Sequence, residues 1–384
     1  MKITGIICEY NPLHLGHKKQ IDYLRRTIGE DCGIVCLMSG NFVQRGSPAI
    51  VDKMRRAEAA IRSGADLVLE LPVTYALSSA EGFAAGGVRI LSGFCDHLCF
   101  GAETADADAL RSLASALLRE AFSRVLKEKL ADGVSFPVAR EAALTAMGHD
   151  AALLKTPNNI LAVEYCKAIL AQGSSMKPMP ILRQGSYHDQ LPDTENPSAT
   201  AVRTLMSSTN WKRFVPPEAV NCFDGAPLHT LAAGERAILA RLRTMTDAEF
   251  EALPYGSEGL WRKFMHASRQ MATVEDILSA TKSKRYTRTR LDRMLLCAFL
   301  GITEADLSRE APYVRALAFN DRGREILKQG KSCVSVLNIG QPTQHPYGAL
   351  EARCDDLYGL FSEASPEAPG ANAAYRVYYQ GGIL

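Results

Sequence analysis

A chain of 384 residues, 47% apolar and 22% charged, has the length and balance for two or three globular domains with a sizeable core. Its net charge of +2 excludes a surface that seeks polyanions as a whole, so any nucleic-acid face must come from local clustering. No apolar run approaches the length needed to cross a bilayer and the N-terminus lacks the sections of a signal peptide, so a cytoplasmic location is expected, with the ten cysteines as reduced, buried thiols.

In chain order, Ile3–Cys8 is apolar and β-branched enough for a buried strand, Asn11-Pro12 breaks it, and the pattern from Lys18 through Ile21, Leu24 and Ile28 predicts a helix. Further strands are expected at 32–38, 66–72, 97–100 and 181–183. Helices are expected at 51–63 and 83–91, from 106 to 132, over 138–146, from Ile160 behind a Pro157-Asn158-Asn159 cap, and from Ser198. Strand and helix alternating at this spacing imply crossover connections and a Rossmann-like, doubly wound parallel α/β sheet. Polar, turn-rich sequence fills 186–197, and a soft boundary falls at 212–217, where Pro216-Pro217 interrupts the pattern. Residues 1–212 would form one domain, and 213–384 a mainly helical region with a few strands. That region has helices at 232–243, 247–253, 261–267, 274–280 and 287–300, a strand and short helix within 311–329, and strands at 332–339 and 375–379. The stretch 362–373 reads as a loop.

The chemistry gathers on Cys8 to Lys18, where a strand passes through a turn into a helix. His14 and His17 sit at the predicted helix start, where unpaired backbone N–H groups and the positive end of the helix dipole favour an anion. Two imidazoles three residues apart can face one phosphate. Gly16 allows close approach, and Lys18 and Lys19 add positive charge. Asn41, Gln44 and Arg45 follow the second strand at the same sheet edge and are candidates to hold a substrate. From Thr281 to Arg293 stand Lys282, Lys284, Arg285, Arg288, Arg290 and Arg293 against a single Asp292. With Tyr286 available for stacking, this window suits an RNA loop. Cys95-x-His-x-Cys99 has metal-like spacing but no second ligand pair, so no zinc site is expected, and Cys8 belongs to a buried strand rather than to a catalytic thiol.

His14-Leu15-Gly16-His17 resembles the signature that a nucleotidyltransferase superfamily shares with class I aminoacyl-tRNA synthetases. Six ordered segments narrow the resemblance: Glu9-Tyr10-Asn11-Pro12, Gly40 to Gly46, Gly64 to Pro72, Phe100-Gly101-Ala102-Glu103, Pro157 to Leu161 and Ser198 to Arg203. Together they resemble the bacterial tRNA(Met) cytidine acetate ligase family. Ser47, where that family usually has an acidic residue, and Ala102, where serine is common, depart from it. The resemblance implies activation of acetate with ATP to acetyl-adenylate, with Mg2+ bound through the ATP phosphates. It further implies acetylation of N4 of the wobble cytidine in the anticodon of elongator tRNA(Met), with no membrane partner.

The same resemblance implies an ATP site made of Ile7, Cys8, Glu9, Tyr10, Asn11, Pro12, His14, Gly16, His17, Lys18 and Gln20, with Gly101, Asn158, Arg183, Ser198, Thr200 and Arg203. His14, His17 and Lys18 would be the catalytic members. A negatively charged transition state at the α-phosphorus calls for such positioned donors and cations rather than a covalent nucleophile. The alternatives are an adenylyltransferase for a small phosphorylated metabolite and a non-catalytic tRNA-binding protein. Aminoacyl transfer is disfavoured because no Lys-Met-Ser-Lys-Ser-like segment is present.

Overall fold

Each residue of β1 (Ile3–Cys8) and β2 (Gly33–Ser39) is buried, and alternate side chains enter two different cores. Ile3, Ile7, Val35 and Leu37 face one, while Ile6, Cys8, Ile34, Cys36 and Met38 face the other, which is the signature of a parallel sheet covered on both sides. In a computed structural model, which describes residues 1–183, 197–330 and 334–381, these strands lie at the centre of an eight-stranded sheet. The polar segment expected at 186–197 falls outside the described residues except for Pro197, as do Ser332 and Cys333 of the expected 332–339 strand.

The chain continues through α1 (Leu15–Ile28), a small hairpin of β3 (Phe42–Val43) and β4 (Ser47–Pro48), α2 (Lys53–Arg62), β5 (Leu67–Leu71), α3 (Val73–Ala76), α4 (Ala80–Leu91) and β6 (His97–Ala102). Next come α5 (Ala107–Leu117), α6 (Glu120–Ala131), α7 (Phe136–Ala146), α8 (Pro157–Ala171), β7 (Lys177–Leu182) and α9 (Ala199–Leu205). Strands β5, β2, β1, β6 and β7 are all parallel, in that spatial order. The chain therefore reverses its direction of winding between β1 and its neighbours, and the crevice at the carboxyl end of β1 is the place for a ligand.

Several expectations change. Helix 106–132 is two helices, interrupted at Leu118-Arg119. The α8 helix begins at Pro157, with Thr156 rather than the Asn pair at its N-cap. The sheet is also not wholly parallel, because β8 (Tyr313–Asn320) returns from the far end of the sequence and pairs antiparallel with β5. It in turn carries β9 (Ser335–Asn338) and β10 (Tyr378–Gln380), both parallel to it.

Between α9 and β8 lie α10 (Pro217–Phe223), α11 (Glu235–Thr244), α12 (Asp247–Glu251), α13 (Leu260–Gln270), α14 (Val274–Thr281), α15 (Arg288–Leu300) and α16 (Glu304–Ser308). Helices α11 to α15 share their own core around Ile238, Phe264, Leu278 and Leu295, into which Phe42 and Leu77 also project. After β8 come α17 (Asp321–Gln329), α18 (Pro346–Tyr358) and α19 (Ala371–Ala374), the last beginning within the expected 362–373 loop. Among the described residues no helix is long and apolar enough to cross a membrane.

Candidate active site

The turn from β1 into α1 is built by unusual backbone. Tyr10 has φ of +45°, a left-handed conformation that L residues rarely adopt. Its ring is locked in place: the residue is 1% exposed, its hydroxyl lies 3.4 Å from Cys36 Sγ, and its edge meets the His17 ring at 4.9 Å. The Asn11 side chain accepts from Ile50 N (2.7 Å), which closes the turn against the segment after β4.

His14 is the N-cap of α1, and the two histidines form a reciprocal capping box. His14 Nδ1 accepts from Gly16 N (3.1 Å) and His17 Nδ1 accepts from His14 N (3.3 Å), while the rings stack at 3.7 Å. These bonds satisfy two backbone N–H groups at the helix start that would otherwise be open to a phosphate. They also fix chemistry. An Nδ1 that accepts carries no proton, so each neutral ring holds its proton on Nε2, as a donor for a ligand. Burial, then the neighbouring charges of His17, Arg183 and Arg203, push His14 well below the usual histidine range. Burial and Arg183 push His17 down to about 3. Both rings are neutral near pH 7.

The positive charge comes from elsewhere. Arg183 follows β7, donates from Nη1 to Asn158 Oδ1 (3.0 Å), and lays its aliphatic stem across Gly101, where a Cβ would come within 2.9 Å of it. Gly101 is thus needed for the arginine to cross the strand end. Asn158 Nδ2 donates to Glu103 (2.6 Å), which also accepts from Thr156 Oγ1 (2.9 Å) and Asn159 N (2.8 Å). Burial pushes the Glu103 carboxyl up, but these hydrogen bonds outweigh it and hold the group below the usual range. On its other side Glu103 borders an open pocket of about 600 Å³ that also touches Thr104, Ser112, His149 and Leu153.

Arg203 donates to Asn11 O (2.7 Å) and Thr200 Oγ1 (3.0 Å), and Ser198 caps α9 through Ala201 N (3.1 Å), so this second segment abuts the first turn. Lys18 is paired with Asp22 one turn along α1, and Gln20 donates to Cys99 Sγ (3.3 Å) beneath the helix. Ile7 and Cys8 are buried in β1. Cys95 and Cys99 belong to cores on opposite faces of the sheet and cannot share an ion.

Two connections were not legible in the sequence. Arg56 on α2 is fully buried, and its guanidinium donates to the carbonyls of Val51 (2.8 Å), Glu9 (2.6 Å), Ser39 (3.1 Å) and Gly40, tying the ends of β1 and β2 together. Glu9 in turn accepts from Gln44 N (2.9 Å), which draws the Gly40–Gly46 loop onto the histidine turn. Within that loop Arg45 is exposed. Asn41 is buried with both ends of its amide engaged, by Asp355 Oδ1 (2.9 Å) and Lys53 N (2.8 Å).

The basic window divides. Arg293 is buried, reaching Gln44 O (3.4 Å), and Arg290 bonds Tyr255 O (3.0 and 2.7 Å). Arg285 pairs with Glu258 (2.9 Å) and Arg288 with Glu275 (2.7 Å) and Asp292 (2.8 Å) at the surface. Lys282 and Lys284 are exposed.

The family model described as HIGH Nucleotidyl Transferase matches residues 1–371. A tRNA(Met) cytidine acetate ligase of Clostridium novyi is 40% identical over 356 residues, covering 88% of this chain and 89% of the relative. One from Alkaliphilus metalliredigens is 38% identical over 401 residues, covering 94% of each. Crystal structures of Thermotoga maritima TmcAL superpose over 100% of both chains, the apo form with a TM-score of 0.90 at 29% identity and the form bound with alpha-thio ATP with 0.87 at 28%. A neutral histidine pair in a β1-to-α1 corner, flanked by Arg183 and Arg203 and matched along nearly the whole sequence, identifies this chain as a member of the tRNA(Met) cytidine acetate ligase family of HIGH nucleotidyl transferases.

Proposed function

We propose that this protein acetylates N4 of the wobble cytidine of elongator tRNA(Met), using ATP and acetate through an acetyl-adenylate. The observation that carries the proposal is the pair of Nε2–H donors held by the His14–His17 capping box in a chain of this family. An acetate oxygen attacks the α-phosphorus, the bond to the pyrophosphate oxygen breaks, and pyrophosphate leaves with its electron pair. Negative charge grows on the non-bridging and departing oxygens. The two imidazole N–H groups meet it as fixed donors, with the guanidinium charges of Arg183 and Arg203 beside them.

An Mg2+ riding on the ATP phosphates would add positive charge there. In the second step the cytidine amine attacks the acetyl carbonyl, loses a proton, and releases AMP. Excluding water matters because hydrolysis competes with a weakly nucleophilic amine.

Residues 1–212 would carry out adenylation, and 213–384 would position the anticodon, with Lys282, Lys284, Arg285 and Arg288 as its outward cations. Arg45 and Gln44, on the loop that Glu9 holds, would meet acetate or the cytidine. The test replaces His14 by Asn, which retains an acceptor for Gly16 N but offers no imidazole donor. Acetate-dependent pyrophosphate exchange should fall at least ~10²-fold, the loss typical of one missing transition-state donor. A wild-type rate would end the assignment.

A further inference from the structure

The outward face of α13 was not singled out by the sequence. Leu260, Phe264, Met265 and Ala267 are buried on one side, and Arg262, Lys263 and His266 are exposed on the other, with no acidic residue between 260 and 270. This face does not stand alone. Lys263 Nζ donates to Lys282 O (3.0 Å), bringing α13 against the turn between α14 and α15, where Lys282, Lys284 and Arg285 are exposed. Two stretches separated in sequence thus make one basic surface. Partly exposed aromatic rings sit within it, each under a guanidinium: Arg262 lies 5.0 Å from the Trp261 ring and Arg290 lies 4.9 Å from the Tyr286 ring.

The surface is joined to the nucleotide corner by packed contacts. Arg290 holds Tyr255 O, the Tyr255 ring lies under Arg293 at 5.0 Å, and Arg293 reaches Gln44 O, whose own N–H is on Glu9. The main ion pair on the surface, Arg285 with Glu258, is itself exposed. Such pairs contribute little, so giving one up to a phosphate costs little.

We propose that the α13 face and the 282–285 turn form a single docking surface for the tRNA, with Arg262 and Lys263 on phosphates, His266 beside them, and Trp261 as a platform for an unstacked base. This rests on the tRNA reading above and extends it to residues outside the basic window. Cations tracking a backbone, interleaved with rings and guanidinium planes, are the chemistry of single-stranded RNA loops.

The test is made on the full-length chain with an unmodified elongator tRNA(Met) transcript. Affinity is measured at several salt concentrations for wild type, for Arg262→Ala/Lys263→Ala/His266→Ala, and for the charge-retaining Arg262→Lys/Lys263→Arg, with a melting curve for each. The triple variant should bind at least ~10-fold more weakly at 0.1 M salt. Its log–log salt slope should be shallower by about 1.4, as expected for two lost phosphate contacts at ~0.7 each. The charge-retaining variant should keep the wild-type slope. An unchanged affinity and slope in a folded triple variant would overturn the surface while leaving the enzyme's activity in place. A wild-type chain that neither binds nor acetylates the transcript would overturn the tRNA reading itself.

Discussion

At the residue scale, His14 and His17 are both structural caps and the candidate chemistry, and these roles separate by substitution. His14→Ala removes the cap as well as the donor and should cost about 1 kcal/mol of stability in addition to activity, whereas His14→Asn should cost the activity alone; denaturant melts of the two variants check this. Their protonation also has a consequence. An unfolded histidine takes its proton near pH 6.5, but in the folded chain burial holds both rings neutral well below that, His17 down to about 3. The unfolded state therefore binds more protons between these limits, and ligand-free stability should fall as pH drops below about 6.5. In a His17→Asn variant that decline should be shallower, and parallel curves for the two proteins would contradict it.

Arg56 is the second residue of this kind. Its hydrogen-bond partners are backbone carbonyls from three segments, so Arg56→Lys keeps the charge yet cannot span them. Each buried carbonyl left unmatched costs about 1–3 kcal/mol. A loss of several kcal/mol with a raised KM for ATP is expected, read from unfolding curves and steady-state kinetics. Nothing in the local pattern around Arg56 distinguishes it from the solvated arginines beside it. That is why the sequence yielded the histidine corner but not the buried guanidinium that holds it.

At the element scale, long periodic stretches were readable because their burial is written into the side chains. The strands β1, β2 and β5 and helices α1, α2 and α11 to α15 fall close to where the apolar spacing puts them. Helix α18 was not readable. Its sequence mixes Gly348, charged pairs and tyrosines without a clean apolar stripe, because it buries polar groups: Asp355 accepts from Lys53 Nζ (2.7 Å), Asn41 Nδ2 and Asn372 Nδ2 (2.6 Å), and Glu351 pairs with Arg315 (3.1 Å). Lys53 also bonds Glu70 (2.9 and 3.0 Å), so one buried ammonium joins α2, β5 and α18. Removing one member strands the others. Asp355→Leu should destabilise by about 3–5 kcal/mol, and Lys53→Met combined with Asp355→Leu by less than the two single losses added, because the contact between the two is lost only once while Glu70 is stranded by Lys53→Met in either background. A double-mutant cycle on unfolding free energies measures this, and additive losses would contradict the coupling.

At the scale of the whole molecule, the proposed division of labour at residue 212 is not a division of the sheet. β8 lies along β5, and β9 and β10 lie on β8, so the C-terminal region completes the layer that carries the nucleotide corner. A fragment ending at 212 would expose β5 as an unpaired apolar edge and should aggregate or fail to fold, as size-exclusion and circular dichroism would show. The antiparallel return of β8 was beyond the sequence reading because strand partners that far apart leave no local signal. The basic window was visible as composition, yet only the fold reveals that Arg293 is buried, that the half-buried Arg290 is bonded to Tyr255 O, and that α13 adds exposed cations.

The most direct measurement of the proposed reaction incubates the protein with ATP, isotopically labelled acetate and unmodified elongator tRNA(Met), followed by nuclease digestion and nucleoside mass spectrometry. The expected result is labelled N4-acetylcytidine at the wobble position, dependent on ATP and lost with His14→Asn. RNA that stays unlabelled and unmodified although ATP is consumed, or tRNA retained with no ATP consumed, would contradict it.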